Sequence, residues 1–150
     1  MSGRSAGTAR ANRCDGAAVP ICGSRQCIVS RIRVAESFVA RLVGLLGRRE
    51  LLREEGLLIK PGGSVHTLGM RFAIDVLFLD RRMSILKIAS ALRPGRVAVA
   101  PRGTCSVLEI EAGRAASLGL CIGTQLAEQG ACLWALGTRR RDRGLNGRGV

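Results

Sequence analysis

His66 is the only histidine in the chain, and imidazole is the one side chain whose unperturbed pKa lies near neutral, so it is the first candidate for proton transfer or ligand binding. It stands in the run Gly63 to Asp80, GSVHTLGMRFAIDVLFLD, which flows without a break into the most apolar stretch of the sequence. Met70 follows closely, and imidazole with thioether suits a soft metal such as copper(I). Two ligands do not make a site, and a third would have to come from a cysteine such as Cys105, so Met70 reads as a core residue and no metal is expected. Asp75 lies between Ile74 and Val76, where an unpaired carboxylate would be costly. It must therefore be paired, with Arg71 or Arg48, or serve as a turn cap. Glu109 and Glu111 alternate with Leu108 and Ile110, a pattern that puts the two carboxylates on an exposed or salt-bridged face. If Glu109, His66 and Arg48 nevertheless converge in a cleft, they make a polar cluster of the kind found at binding sites. Together with Thr67, Met70, Arg71 and Asp75 they form the candidate pocket. Ser64, Thr67 and Ser106 stand in no Gly-x-Ser-x-Gly context, which leaves a serine-type hydrolase unsupported.

These side chains need a scaffold, and the sequence supplies mostly strands. Gln26 to Val34 alternates Ile28, Ser30, Ile32 and Val34 against Cys27, Val29, Arg31 and Arg33, which predicts one strand with one core face. Ser37 as N-cap, then Phe38, Leu42, Leu45 and Leu46 at helical spacing, with Gly47 after them, predicts a short amphipathic helix. Leu57 to Lys60, Ser64 to Leu68, Val76 to Asp80, Ser84 to Ala89, Cys105 to Glu111 and Gln125 to Ala127 are the further strands, separated by Pro61-Gly62-Gly63, Arg81-Arg82-Met83 and Arg93-Pro94-Gly95-Arg96. The continuous apolar run from Val76 is the mark of a strand covered on both faces. Ala112 to Leu118 reads as a second short helix ended by Gly119. The fold class is therefore mainly β (α+β), a compact antiparallel sandwich or barrel-like sheet with two short helices. Residues 1–20 read as a flexible leader, 21–136 as one domain and 137–150 as a disordered basic tail.

The formal charge is +13 over 150 residues. The first 25 residues carry +3 of it and residues 137–150 carry +4, so about half of the excess lies outside the expected domain. Arg139, Arg140 and Arg141 could hold phosphates loosely, but no aromatic stacking residue or nucleic-acid motif lies near them. Of the 24 basic residues only Lys60 and Lys87 are lysine. No apolar run approaches a membrane span, and the first 20 residues hold no apolar h-region, so a cytoplasmic location is expected. The six cysteines are expected to stay reduced, and their spacing is not that of a zinc site. Cys22 and Cys27 could face each other across a hairpin and join if oxidised. There is no Gly-rich phosphate loop or dinucleotide fingerprint, and no cofactor is expected.

Three blocks, RLVGLLGR at Arg41 to Arg48, the His66 run, and VLEIEAG at Val107 to Gly113, carry a resemblance to domain of unknown function 192, also called uncharacterised protein family 0127. The resemblance covers roughly residues 26 to 128 and implies a small mostly-β domain with a helix after its first strand. It implies no activity. The family's aromatic Phe-Trp-Met-Lys-Asn-Thr segment is replaced here by Val65, His66, Thr67, Gly69 and Met70. The leading expectation is a non-catalytic binding or accessory module with a polar pocket near His66, taking a small ligand or a protein partner. Its rivals are a hydrolase or isomerase with His66 as general base oriented by Asp75 or Glu109, and weak nucleic-acid binding through the Arg-rich tails.

Overall fold

The computed structural model describes residues 26–36 and 45–138. The expected leader, the helix from Ser37, Cys22 and the tail from Arg139 lie outside or largely outside these residues. The described chain forms strands β1 (Gln26–Val29), β2 (Arg31–Ala35), β3 (Glu55–Ile59), β4 (Val65–His66), β5 (Ile74–Leu79), β6 (Ile85–Leu92), β7 (Val97–Ala98) and β8 (Ser106–Glu111). Helix α1 (Arg114–Ser117) and strands β9 (Thr124–Gln129) and β10 (Cys132–Thr138) complete it.

A five-stranded sheet of order β2-β3-β8-β5-β6 faces a three-stranded sheet of order β1-β10-β9, and β4 and β7 make a separate two-stranded ribbon. The result is a sandwich rather than a closed barrel. All pairings are antiparallel except β2 with β3, so the large sheet is mixed. A parallel pair needs a crossover, and the chain between β2 and β3 supplies it.

Two apolar layers hold the fold. Ile28, Val29, Leu126 and Leu133 of the small sheet meet Leu58, Leu77, Leu79, Leu108 and Ile110 of the large one. On the other side of the large sheet, Leu57, Ile59, Val76, Phe78 and Val107 are covered by Leu45 and Leu51 of the crossover and by Val65 and Ala98 of the ribbon, with Met70 and Phe72 packed alongside. We call residues 45–51 and the ribbon through Phe72 the cover. This double burial is why β5, IDVLFL, is apolar at every position except Asp75, and every residue of β5 is buried, as the apolar run from Val76 predicts.

Several boundaries differ from expectation for physical reasons. Gln26 to Val34 is two strands in two sheets. Ser30 and Arg31 both donate their amides to the Glu54 carbonyl at 2.9 Å, and the chain changes sheet there, so Ile28 and Val29 are both buried while Val34 is exposed. The turn after β5 lacks glycine because Asp80 does the work. Its Oδ1 accepts the amides of Arg82 at 2.8 Å and Ser84 at 2.9 Å, which stabilises the positive φ of Met83. The chain after Gln129 forms β10, which ends at Thr138, two residues past the expected end of the domain at residue 136.

Gly62 fixes the ribbon's entry. Its amide donates to the Cys105 carbonyl at 2.7 Å, and a Cβ there would lie 2.6 Å from the Ser106 backbone. The neighbour is backbone and cannot swing away. Gly62→Ala is expected to cost about 2 kcal/mol or more, read as a lower denaturation midpoint. Gly63→Ala, where a Cβ meets nothing within 4 Å, should leave the midpoint unchanged; equal effects at both positions would contradict this account.

Candidate functional site

The ribbon carries most of the residues singled out around His66. Val65 pairs with Ala98 and His66 with Val97, and side chains alternate faces along a strand. Val65 and Ala98 accordingly point down into the core, while His66 and Val97 are exposed. Leu68 at 56%, Val97 at 60% and Val99 at 65% exposure continue the outer face, an unusual concentration of large aliphatic surface on one small element.

Thr67 anchors this ribbon and is fully buried. Its hydroxyl donates to the Arg93 carbonyl at 2.6 Å and accepts the Arg96 amide at 3.0 Å. Its own amide donates to the Arg96 carbonyl at 2.8 Å, and its carbonyl accepts from Gly95 at 3.0 Å and Met70 at 3.2 Å. Every polar atom of Thr67 is engaged within the protein, so its place in the expected pocket is structural: it locks Leu68 to Met70 onto the Arg93–Arg96 turn. Two further bonds fasten the far end, from Ala100 N to Ser64 Oγ at 3.1 Å and from Lys87 Nζ to the Val99 carbonyl at 2.9 Å.

The expected polar cluster does not assemble. Arg48 donates to Glu55 Oε2 at 2.6 Å rather than to Asp75. Asp75 is fully buried and works as a double cap: Oδ1 accepts the Ala91 amide at 2.8 Å and Oδ2 the Ala115 amide at 2.9 Å. Arg71 is exposed, and Met70 packs against the layer beneath the ribbon. Neither Asp75 nor Glu109 hydrogen-bonds His66 among the described residues, so the imidazole lacks the orienting carboxylate that a general base requires. Nor do three His, Cys, Asp or Glu side chains gather to suit a metal ion among the described residues.

Glu109 is the largest departure from expectation. It is 6% exposed, not on a solvated face, because β8 is the central strand of the large sheet and both its faces are covered. Burial pushes its carboxyl up to about 7.

Sequence reasoning singled out Arg71 but gave no role to Arg93, Arg96 and Arg102, which flank β7 in the chain. Arg71, Arg93, Arg96 and Arg102 are all exposed, and none of the three ion pairs among the described residues involves them. The signal was present: residues 56–74 and 81–108 contain no Asp or Glu. A shallow depression of about 200 Å³ lies elsewhere, lined by Ala127, Glu128, Gln129, Trp134 and Leu136 of the small sheet. On that sheet Cys27 has its thiol pushed up by burial and by Cys132, against the lowering effect of Arg114. Cys27, Cys105, Cys121 and Cys132 are free thiols. No helix among the described residues is long and apolar enough to cross a membrane.

Known structures share this arrangement. A protein of unknown function from Novosphingobium aromaticivorans matches with a TM-score of 0.59 and 27% identity over 63% of this chain and 71% of that one. A Sinorhizobium meliloti protein provisionally named a transcription regulator matches with a TM-score of 0.60 over 67% of this chain and 88% of that one, and at 22% identity the likeness is one of fold alone. In sequence, a UPF0127 protein of Pyrococcus furiosus is 33% identical over 95 residues, 55% of this chain and 81% of the relative. The model of the family DUF192, described as Uncharacterized ACR, matches residues 21–127. That span runs from before β1 into β9 and takes in the ribbon, Asp75 and Glu109, so the chain belongs to the DUF192 family.

Proposed function

We propose that this protein is a non-catalytic binding module whose recognition face is the outer side of the β4–β7 ribbon, and that it docks an acidic protein segment with apolar side chains. One observation carries the reading: Leu68, Val97 and Val99 are exposed beside His66 on a ribbon with four exposed arginines nearby in the chain, in two stretches, 56–74 and 81–108, that contain no Asp or Glu. Aliphatic surface drives association once desolvated, and unpaired arginines select acidic partners by charge complementarity. The ribbon is fastened at Ser64, Thr67 and Lys87, so little ordering cost is left to pay on binding. Among the described residues no aromatic side chain is exposed on this face, which argues against stacking on nucleobases.

A fluorescent peptide of alternating glutamate and valine is a sufficient probe. Binding is expected to weaken as salt rises and to fall roughly tenfold in both Val97→Ser/Val99→Ser and Arg93→Glu/Arg96→Glu. A polyaspartate peptide of equal charge should bind more weakly. Undiminished binding by both double variants would place the contact elsewhere and end this proposal.

A further inference from the structure

Glu109 is a buried titratable group that the ribbon reading does not use. It sits opposite Leu57 of β3 on one side and Val76 of β5 on the other, so its side chain enters the apolar layer between the large sheet and the cover. Among the described residues it has no hydrogen-bond or ion-pair partner. Among the described residues, none of the other charged groups on this side of the sheet pairs with it: Lys87 of β6 lies over the Phe78 ring and donates to the Val99 carbonyl at 2.9 Å. Glu55 of β3 is held by Arg48 of the crossover at 2.6 Å, Glu111 of β8 is half-buried toward the strand end, and Arg33 of β2 and Arg71 of the cover are exposed. A carboxyl so placed is stable only while it keeps its proton.

We propose that the Glu109 carboxyl is a proton-binding site that controls how closely the cover packs on the five-stranded sheet. Protonated, it is a small neutral group tolerated between Leu57 and Val76. Ionised, it must reach water or a cation. β3, β8 and β5 cannot part without breaking their ladders, whereas the cover rests on the sheet mainly through side chains. The cover is therefore the element that yields. The consequence is a layer closed below neutral pH and loosened above it, independent of whether the ribbon's outer face binds a partner.

The methionines provide the test, since the chain has three. Met70 packs in this layer and Met83 against the opposite core. In protein labelled at the methionine methyl carbons, the Met70 resonance is expected to shift with a midpoint near neutrality while Met83 stays put. The Glu109 carboxyl carbon should titrate with the same midpoint. Protection of the Thr67, Gly95 and Arg96 amides, corrected for intrinsic exchange, should fall roughly tenfold across that transition. Glu109→Gln and Glu109→Met should both abolish the Met70 transition, the second variant guarding against a destabilised first. Because imidazoles titrate in the same range, His66→Gln must leave it in place. A Glu109 carboxyl that titrates like an exposed glutamate would overturn the proton site. A neutral midpoint without movement of Met70, or a Met70 transition lost with His66, would overturn its coupling to the cover.

Discussion

Glu109→Gln is expected to gain stability relative to the parent protein as pH rises, by an amount on the order of 3 kcal/mol. The size follows from the displacement of the carboxyl from 4.5 to about 7, each pKa unit being worth about 1.4 kcal/mol. The sign follows from proton linkage. Below the unfolded-state value both states hold the proton and the group contributes no pH dependence. Between the two values the unfolded chain releases its proton while the folded chain retains it, so parent stability falls as pH rises. Above the folded value the full penalty is present and the difference levels off. Glutamine carries no such term, and the constant cost of its buried amide, about 1–3 kcal/mol, moves its whole curve without changing the shape. The high positive charge of the chain makes both proteins pH-dependent, but that contribution cancels in the comparison. Urea midpoints for the two proteins at several pH values should diverge from about pH 4.5 and run parallel beyond neutrality; curves parallel throughout would mean that Glu109 is hydrated.

The contrast between Glu109 and β5 shows what the sequence carried. Two-sided burial of β5 is written into its run from Val76 to Leu79, because a strand covered on both faces has no position at which a polar residue is cheap unless, like Asp75, it is fully hydrogen-bonded. Burial of Glu109 is not written locally. The alternation of Leu108 and Ile110 with Glu109 and Glu111 is the ordinary signature of one wet face, and it misleads because the crossover and the ribbon, distant in sequence, close over it. The same distance hid the switch at Ser30, since a strand that changes sheet keeps its backbone extended and its pattern nearly intact. His66 was recognisable as unusual, yet its exposure depends on which residue of the two-residue β4 faces down, and Val65 takes that place. The carboxylate-free stretches around it were legible in the sequence, but only the pairing of β4 with β7 brings the stretch that holds Arg71 beside the one that holds Arg93, Arg96 and Arg102. For Asp75 the requirement of a cap could be read from its neighbours, though neither donor could: one lies 16 residues away and the other 40.

Those two donors make Asp75 the residue whose loss should cost the most. Ala91 has a positive φ of 47° near the end of β6, where the β5–β6 register shifts between Ile74 and Val76; the irregular ladder leaves the Ala91 amide to be satisfied by Asp75. Helix α1 begins from Gly113, which offers no side-chain cap, so the Ala115 amide in its first turn is also left to Asp75. One carboxylate from the middle of the large sheet thus completes a β-edge and a helix start. Asp75→Ala would strand two donors in a dry interior, at about 1–3 kcal/mol each and more for the lost charge-assisted bonds, a large share of the roughly 5–15 kcal/mol that a domain possesses. Asp75→Asn keeps the volume but turns one acceptor into a donor that faces an N–H, so it is expected to recover at most half of that loss. In hydrogen exchange the Asn variant should lose protection first at Ala91 or Ala115, whichever meets the amide nitrogen, and the Ala variant at both. A cost below about 1 kcal/mol for Asp75→Ala would mean that water replaces the carboxylate, and that the junction of β5, β6 and α1 is wetter than its full burial implies.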